Sequence, residues 1–231
     1  VVIVPILTMR VIAEERKQKT DQLLYSLPIT TSQVVVGKYL ALLVVFFIPL
    51  CIVSLYPLIF AQFGDVYLMT SYGSLLAFFI MGAALIAVGT FISSLTENQG
   101  FAAGIAIPVI LFNYYSVSLA EHISASAMGS VISLCALAVI LGLVIRFLTG
   151  NEGLAFSVSL LLIIIIGIAG FVDISSFEGL LPKIMNRLSL FERFYSFVNG
   201  VFDFTSIVYF VSVIVFFLFL SVQSLEKRRY N

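Results

Sequence analysis

Six long runs without charged residues restrict this chain more than any motif does. They cover residues 39–60, 74–95, 101–119, 128–145, 154–172 and 206–224. A helix needs about 20 apolar residues to cross the hydrocarbon core of a bilayer, and each run is close to that length. Because the runs are continuous and do not alternate as barrel strands would, helices are the way to satisfy their backbone in lipid. The sequence predicts an all-α, polytopic transmembrane bundle that forms one domain over residues 1–231.

Composition agrees with a membrane protein and excludes one class of partner. The chain is 61% hydrophobic and 10% charged, whereas soluble domains are roughly 25% charged. Its net charge is zero, which disfavours nucleic acid because phosphate binding requires a basic surface. The apolar residues 1–9 are too short to cross a bilayer alone. We expect them to be the end of a further span whose upstream part is absent.

The distribution of Lys and Arg predicts the orientation. With the charges after Met9 in the cytoplasm, the basic residues on the inner side are Arg10, Arg16, Lys17, Lys19, Lys38, Arg146, Lys227, Arg228 and Arg229. Those on the outer side are Lys183, Arg187 and Arg193. This bias follows the positive-inside rule, so the C-terminus is predicted to be cytoplasmic.

The charged segment over residues 10–28 has its own helical periodicity. An apolar stripe at i, i+3, i+4 and i+7 is formed by Thr20, Leu23, Leu24 and Leu27. The pattern predicts an amphipathic cytoplasmic helix that ends at Pro28, after which Thr30 and Gln33 form a capping box for the next helix. Charges beside a span often only fix topology. An apolar stripe with charged flanks also suits docking into a groove of a cytoplasmic protein.

A second amphipathic helix is predicted in the long outer segment, residues 173–205. Its apolar face would contain Leu188, Phe191, Phe194, Tyr195 and Val198. Charged residues lie opposite this face, and Asn199-Gly200 supplies a stop. Such a helix would lie on the outer membrane surface, either as a packed lid or as a functional gate.

Two stretches resemble a known family. "PILTMRVIAEERKQKTDQLLYSLPITTSQVVVGKYLALL" resembles the signature of the ABC type-2 permeases, in particular the gliding-motility branch, with P-x-L-T-M-R, A-E-E-R, G-T-x-E-L-L, P and G-K in order. "SLFERFYSFVNGVFDFTSIVYFVSVIVFFLFLSVQSLEKRR" resembles the closing external helix, G-V-x-D turn, last span and basic terminus. "SLTENQ" resembles a cytoplasmic turn between them. This chain departs from the pattern at two positions. Lys19 stands where the pattern has glycine, and Gln22 stands where it has glutamate.

The resemblance implies a role for the charged segment. Its residues that would contact a separate ATP-binding subunit are Glu14, Glu15, Arg16, Thr20, Leu23 and Leu24. ATP and Mg²⁺ would bind to that subunit, since this chain has no G-x-x-x-x-G-K-[ST] loop and would carry no cofactor. A second permease chain, identical or not, would complete the pathway in a bacterial cell membrane. Residues 120–171 add a pair of spans to the family's six, so we expect about eight in the full protein.

The substrate is weakly encoded. No full span carries a charge well inside it, which favours export of a hydrophobic or amphipathic substrate over transport of a small ion. A candidate contact with the substrate is the polar cluster Asn113, Tyr114 and Tyr115. Tyrosines at that depth are also common interface anchors.

Two other classes of protein are alternatives to a permease. A secondary transporter or channel would use broken helices or charges near the midplane of the membrane, and the sequence indicates neither clearly. An intramembrane enzyme would need a metal or a nucleophile site. "EERKQK" lacks the arginine of an E-E-x-x-x-R motif, and His122 is the single histidine. We therefore predict no catalytic residues and no metal site.

Overall fold

The computed structural model describes residues 1–20, 29–122, 126–149, 151–172 and 174–229, and the regular structure of these residues is helical. The first half contains α1 (Ile3–Thr8), α2 (Ala13–Lys17), α3 (Thr31–Val53), α4 (Tyr56–Phe60), α5 (Leu68–Leu95) and α6 (Gln99–His122). The second half contains α7 (Ala127–Thr149), α8 (Glu152–Val172), a 3-10 turn (Ile174–Phe177), α9 (Leu180–Leu188), α10 (Leu190–Val198) and α11 (Phe204–Arg229). The predicted all-α class is confirmed.

Five stretches of the described residues are long and apolar enough to cross a membrane. They are Thr31–Phe60, Leu68–Leu95, Gln99–Glu121, Glu152–Phe171 and Phe204–Lys227. α7 contributes a shorter apolar stretch, Ala127–Leu143. Each predicted uncharged run falls within these stretches or within α7, except that the run 154–172 ends one residue later, at the end of α8. Each helix begins one to eight residues before its run.

Local side chains set several of the helix starts. At the start of α3, the backbone N–H of Gln33 donates to Thr30 Oγ1 at 3.3 Å and the Gln33 side chain accepts from the Thr30 N–H at 3.0 Å. The predicted capping box is therefore present. At the start of α11, Asp203 accepts hydrogen bonds from the Thr205 N–H at 3.0 Å and the Ser206 hydroxyl at 2.6 Å. The bond from Ser206 lowers the pKa of Asp203 because it favours the ionised carboxylate.

The chain divides into two units, and the first contains Val1–Tyr114 and Leu190–Asn231. α5 is its central helix and packs against α1, α3, α10 and α11. Gly, Ala, Ser and Thr make up most of its buried residues, and such small residues let neighbouring helices approach its backbone. A Cβ placed on Gly82 would lie 2.3 Å from Cε1 of Phe46. α3 therefore rests directly on the backbone of α5.

The second unit is Tyr115–Ser189. α7 and α8 pack together along their lengths, and the 3-10 turn and α9 pack against α7. A Cβ on Gly142 would lie 2.8 Å from the Cβ of Ser159, so the two helices are in close contact there. Arg146 and Glu152 form an exposed ion pair at the end of this pair of helices. Exposed pairs of this kind contribute little to stability.

The predicted outer amphipathic helix is divided in the structure. Ser189 has an extended backbone and separates α9 from α10. In α10, Phe191 and Phe197 are buried, whereas Tyr195 and Val198 are exposed. The buried face is therefore rotated from the predicted one, because the helix restarts after Ser189 and turns its phenylalanines toward α5.

Candidate functional site

The charged segment does not form one helix from residue 10 to residue 28. Among the described residues, 9–12 form a turn after α1, and α2 covers Ala13–Lys17. Residues 21–28, with Leu23 and Leu24, lie outside the described residues. We call residues 9–20 the corner segment.

α2 ends in a Schellman motif, in which the chain reverses through a left-handed residue. Lys19 has φ +58°. The Thr20 N–H donates to the Glu15 carbonyl at 3.0 Å, and the Lys19 N–H donates to the Arg16 carbonyl at 3.1 Å. These are the two hydrogen bonds that define the motif, whose left-handed position is usually glycine. Lys19 occupies the position where the family pattern has glycine. The left-handed conformation explains the glycine of the pattern, because glycine adopts it without steric cost.

The hydroxyl of Ser93, in the last turn of α5, holds the start of α2. Its oxygen accepts from the backbone N–H groups of Ile12 at 3.3 Å and Ala13 at 3.2 Å. The same hydroxyl donates to the Met9 carbonyl at 3.3 Å. α2 has no cap from its own N-cap side chain, so its first N–H groups need an acceptor from elsewhere. Ser93, which is fully buried, supplies that acceptor from a distant helix.

Lys38, in the second turn of α3, is a second polar anchor of the corner segment. Its ammonium group donates to the Val11 carbonyl at 2.9 Å and forms an ion pair with Glu15. The two side chains are 18% and 36% exposed, so water screens the pair only in part. A hydrogen bond to a charged group is worth about 1.5–3 kcal/mol. The pair therefore ties α2 to the start of α3.

Apolar contacts also hold the corner segment against the membrane helices. Ile12 forms a buried cluster with Val35 of α3 and Leu225 of α11. At the end of α1, Thr8 is fully buried, and a Cβ placed on Gly89 of α5 would lie 2.2 Å from its Oγ1. The corner segment and the end of α1 thus contact α3, α5 and α11.

Four of the six predicted partner contacts lie in the corner segment. Arg16 is 5% exposed and is part of the protein interior. Glu14 accepts a hydrogen bond from the Gln18 side chain at 3.3 Å, and the Thr20 hydroxyl donates to the Glu15 carbonyl at 3.2 Å. Arg16, Glu15 and Thr20 therefore help to fix the shape of the segment.

The predicted polar cluster at the other end of the first unit is only partly brought together. Asn113 Oδ1 accepts from the Leu190 N–H at 3.1 Å. The ring of Tyr114 packs edge-to-face on Phe191 with 5.0 Å between centroids. Both residues thus hold the first turn of α10. Tyr115 is 53% exposed and belongs to the second unit.

Sequence reasoning missed the two residues that hold the corner segment most directly. The contact of Lys38 could have been anticipated from the sequence, since a lysine at the start of a span needs a partner for its charge. The contact of Ser93 could not have been anticipated, because a serine in an apolar helix usually donates its hydroxyl hydrogen bond to the preceding turn of its own helix. Among the described residues, no group of three or more His, Cys, Asp or Glu side chains could hold a metal ion.

The fold defines the class of this protein: it is a multi-pass helical membrane protein. Residues 1–120 match the family model described as "ABC-2 family transporter protein". This match covers just over half of the 231 residues, and the chain belongs to the ABC-2 transporter family. No curated protein matches the chain, and no solved structure matches it. Membership makes the chain a permease component of an ABC transporter, with ATP hydrolysis on another subunit.

Proposed function

We propose that this chain is the permease of an ATP-driven exporter of the gliding-motility branch, and that its ATP-binding subunit docks on the corner segment and the residues up to 28. The exported substrate is hydrophobic or amphipathic. A second permease chain completes the pathway, and ATP with Mg²⁺ is bound by the docked subunit. The protein lies in a bacterial cell membrane with its C-terminus in the cytoplasm.

The attachment of the corner segment to three spans is the observation that carries this proposal. A surface that receives a mechanical displacement must be rigidly joined to the elements it moves. Ser93 and Lys38 bind the backbone of the segment, and Ile12 is buried between α3 and α11. Lys17 and Lys19 remain exposed for contact with a partner. The segment thus has one side held by the membrane domain and one side open.

In the proposed mechanism, closure of the ATP-binding subunits on nucleotide displaces the docked segment. The displacement tilts the spans to which the segment is fixed, and the bundle changes the side on which it is open. Such a cycle requires two arrangements of the bundle whose populations depend on nucleotide.

The proposed substrate class follows from the apolar spans. The chain carries no charged residue between Leu68 and Leu95, or between Gln99 and Ala120. A small ion crossing along these helices would lack the charged or broken segments that usually replace its hydration shell. Asn113, Tyr114 and Tyr115 stay as candidate substrate contacts, although two of them also hold α10.

Affinity purification of the full-length protein in mild detergent tests the docking. We expect a P-loop ATPase to co-purify in a fixed ratio, and we expect the double variant Leu23→Asp with Leu24→Asp to lose it while remaining in the membrane. The matched control is Phe63→Asp with Met69→Asp, which places the same charges on the exposed turn before α5 and its first residues. This control should keep the ATPase.

The two negative outcomes of this experiment have different meanings. An unchanged complex in the Leu23 and Leu24 variant would reject docking at this segment. A purified protein without any ATPase would instead favour a secondary transporter or channel.

A further inference from the structure

We infer that Ser93 is the positioning residue that couples the corner segment to α5, so that α5 is the span that carries nucleotide-driven displacement across the membrane. The inference rests on the proposed function, since it assumes that an ATP-binding subunit moves the corner segment. It adds the residue and the helix through which the movement passes.

Ser93 binds both helices that meet at the corner. It accepts from the first N–H groups of α2, at Ile12 and Ala13, and donates to the carbonyl of Met9 at the end of α1. Groups at helix ends have no partner inside their own helix. One hydroxyl therefore pairs the end of α1 and the start of α2, and neither helix end can shift without breaking a hydrogen bond to α5.

The connection through Ser93 is shorter and stiffer than the connection through Lys38. A serine side chain has a single rotatable bond to its oxygen, whereas lysine has a flexible four-carbon stem that can follow a moving partner. Close packing of α1 on α5 adds to this stiffness, because Thr8 touches the backbone at Gly89 with no room for a Cβ. A displacement of the corner segment therefore moves α5 as well, because the connection between them absorbs little of the movement.

α5 is also the helix from which movement spreads through the first unit. It packs against α1, α3, α10 and α11, and Gly82 and Gly89 leave α3 and α1 in contact with its backbone. Ser93 lies near one end of α5 and the exposed Met69 near the other. At 1.5 Å per residue, about 36 Å of helix separates the two. A tilt imposed at Ser93 appears as a displacement at Met69.

The test measures the accessibility of residue 69 in the complete complex with its ATP-binding subunit, reconstituted in lipid nanodiscs so that reagents reach both faces of the membrane. Cys51→Ser and Cys135→Ser remove the two native thiols, and Met69→Cys introduces a label site. The rate of reaction with a membrane-impermeant maleimide is measured without nucleotide and after trapping with ATP and vanadate. We expect nucleotide to change this rate, and we expect Ser93→Ala to lose the change while the ATPase still co-purifies.

Ser94→Ala is the matched control. Ser94 is equally buried in the same turn, but its hydroxyl donates to the Phe91 carbonyl of its own helix at 2.7 Å. Because it holds no part of the corner segment, its variant should keep the nucleotide-dependent change. A general loss of stability at this end of α5 would affect both variants, whereas the inferred role affects only Ser93.

The outcomes separate the inference from the proposed function. A Ser93→Ala complex that responds to nucleotide as the parent does would overturn the inference and leave the proposed function standing. A parent complex without an ATPase would overturn both, whereas a parent complex that contains the ATPase but shows no response at residue 69 would overturn the inference alone. If Ser93→Ala does not accumulate, Ser93→Cys replaces the hydroxyl with a weakly bonding thiol of similar size. The same variant without Met69→Cys gives the labelling rate of residue 93 itself, which is subtracted. A reduced response then supports the inference, and a full response rejects it.

Discussion

At the scale of single residues, the corner segment is shaped by conformation as much as by contact. Lys19 adopts a left-handed backbone that costs a non-glycine residue about 1–2 kcal/mol. The two hydrogen bonds of the Schellman motif hold it there. The lysine therefore keeps a turn that glycine would make with less strain, and it adds a charge on the exposed side.

This strain predicts the effect of Lys19→Gly. Relief of the left-handed penalty is partly offset by the greater chain entropy of glycine, which leaves a net stabilisation of about 0.5–1 kcal/mol. Hydrogen exchange of the Thr20 amide, which donates to Glu15, should slow by about two- to fivefold.

Lys17→Gly is the control for this measurement. Lys17 lies inside α2, where glycine costs about 1 kcal/mol, so exchange at the end of α2 should become faster. Equal exchange in Lys19→Gly and the parent would mean that the turn carries no strain at this position.

At the scale of helices, α10 is held by contacts from three neighbouring spans. Asn113 of α6 accepts from its first N–H, and Ser74 of α5 donates to the Phe197 carbonyl at 3.0 Å. The guanidinium of Arg193 lies 4.1 Å from the centre of the Tyr209 ring of α11, a cation–π contact. α10 thus joins the ends of three helices as well as covering them.

These anchors predict the effect of Asn113→Ala. The Leu190 N–H would lose its acceptor, at a cost of about 1 kcal/mol. Hydrogen exchange in the first turn of α10 should become about fivefold faster, without a change in the centre of α5. Asn113→Asp keeps an accepting oxygen and should retain the protection. If Asn113→Ala leaves exchange unchanged, the hydrogen bond does not hold α10.

At the scale of the whole molecule, the sequence contained most of the fold and little of the site. Uncharged runs of bilayer length located every long helix, and the Thr30 and Gln33 pattern located the start of α3. The break at Ser189 and the rotated face of α10 were missed, because long-range packing decides between two amphipathic registers. The role of Ser93 depends on a contact that no local pattern encodes.

The orientation is tested on the whole molecule by labelling. Asp65 and Glu97, both exposed, flank α5 in turns on opposite sides of the proposed bundle. In the background without native thiols, Asp65→Cys should react with an impermeant maleimide in intact cells. Glu97→Cys should react only after permeabilisation. The reverse pattern would invert the proposed topology.

The hydrogen bonds of Ser93 also determine when, during synthesis, the corner segment can complete its contacts with α5. Ser93 lies 81 residues after Ile12 and 80 after Ala13, an interval that a ribosome needs about 4–16 s to synthesise. Until then, the amides of Ile12 and Ala13 lack the acceptor that Ser93 provides. The corner segment is therefore made early in synthesis and completes its hydrogen bonds late, because their acceptor is encoded 80 residues or more downstream.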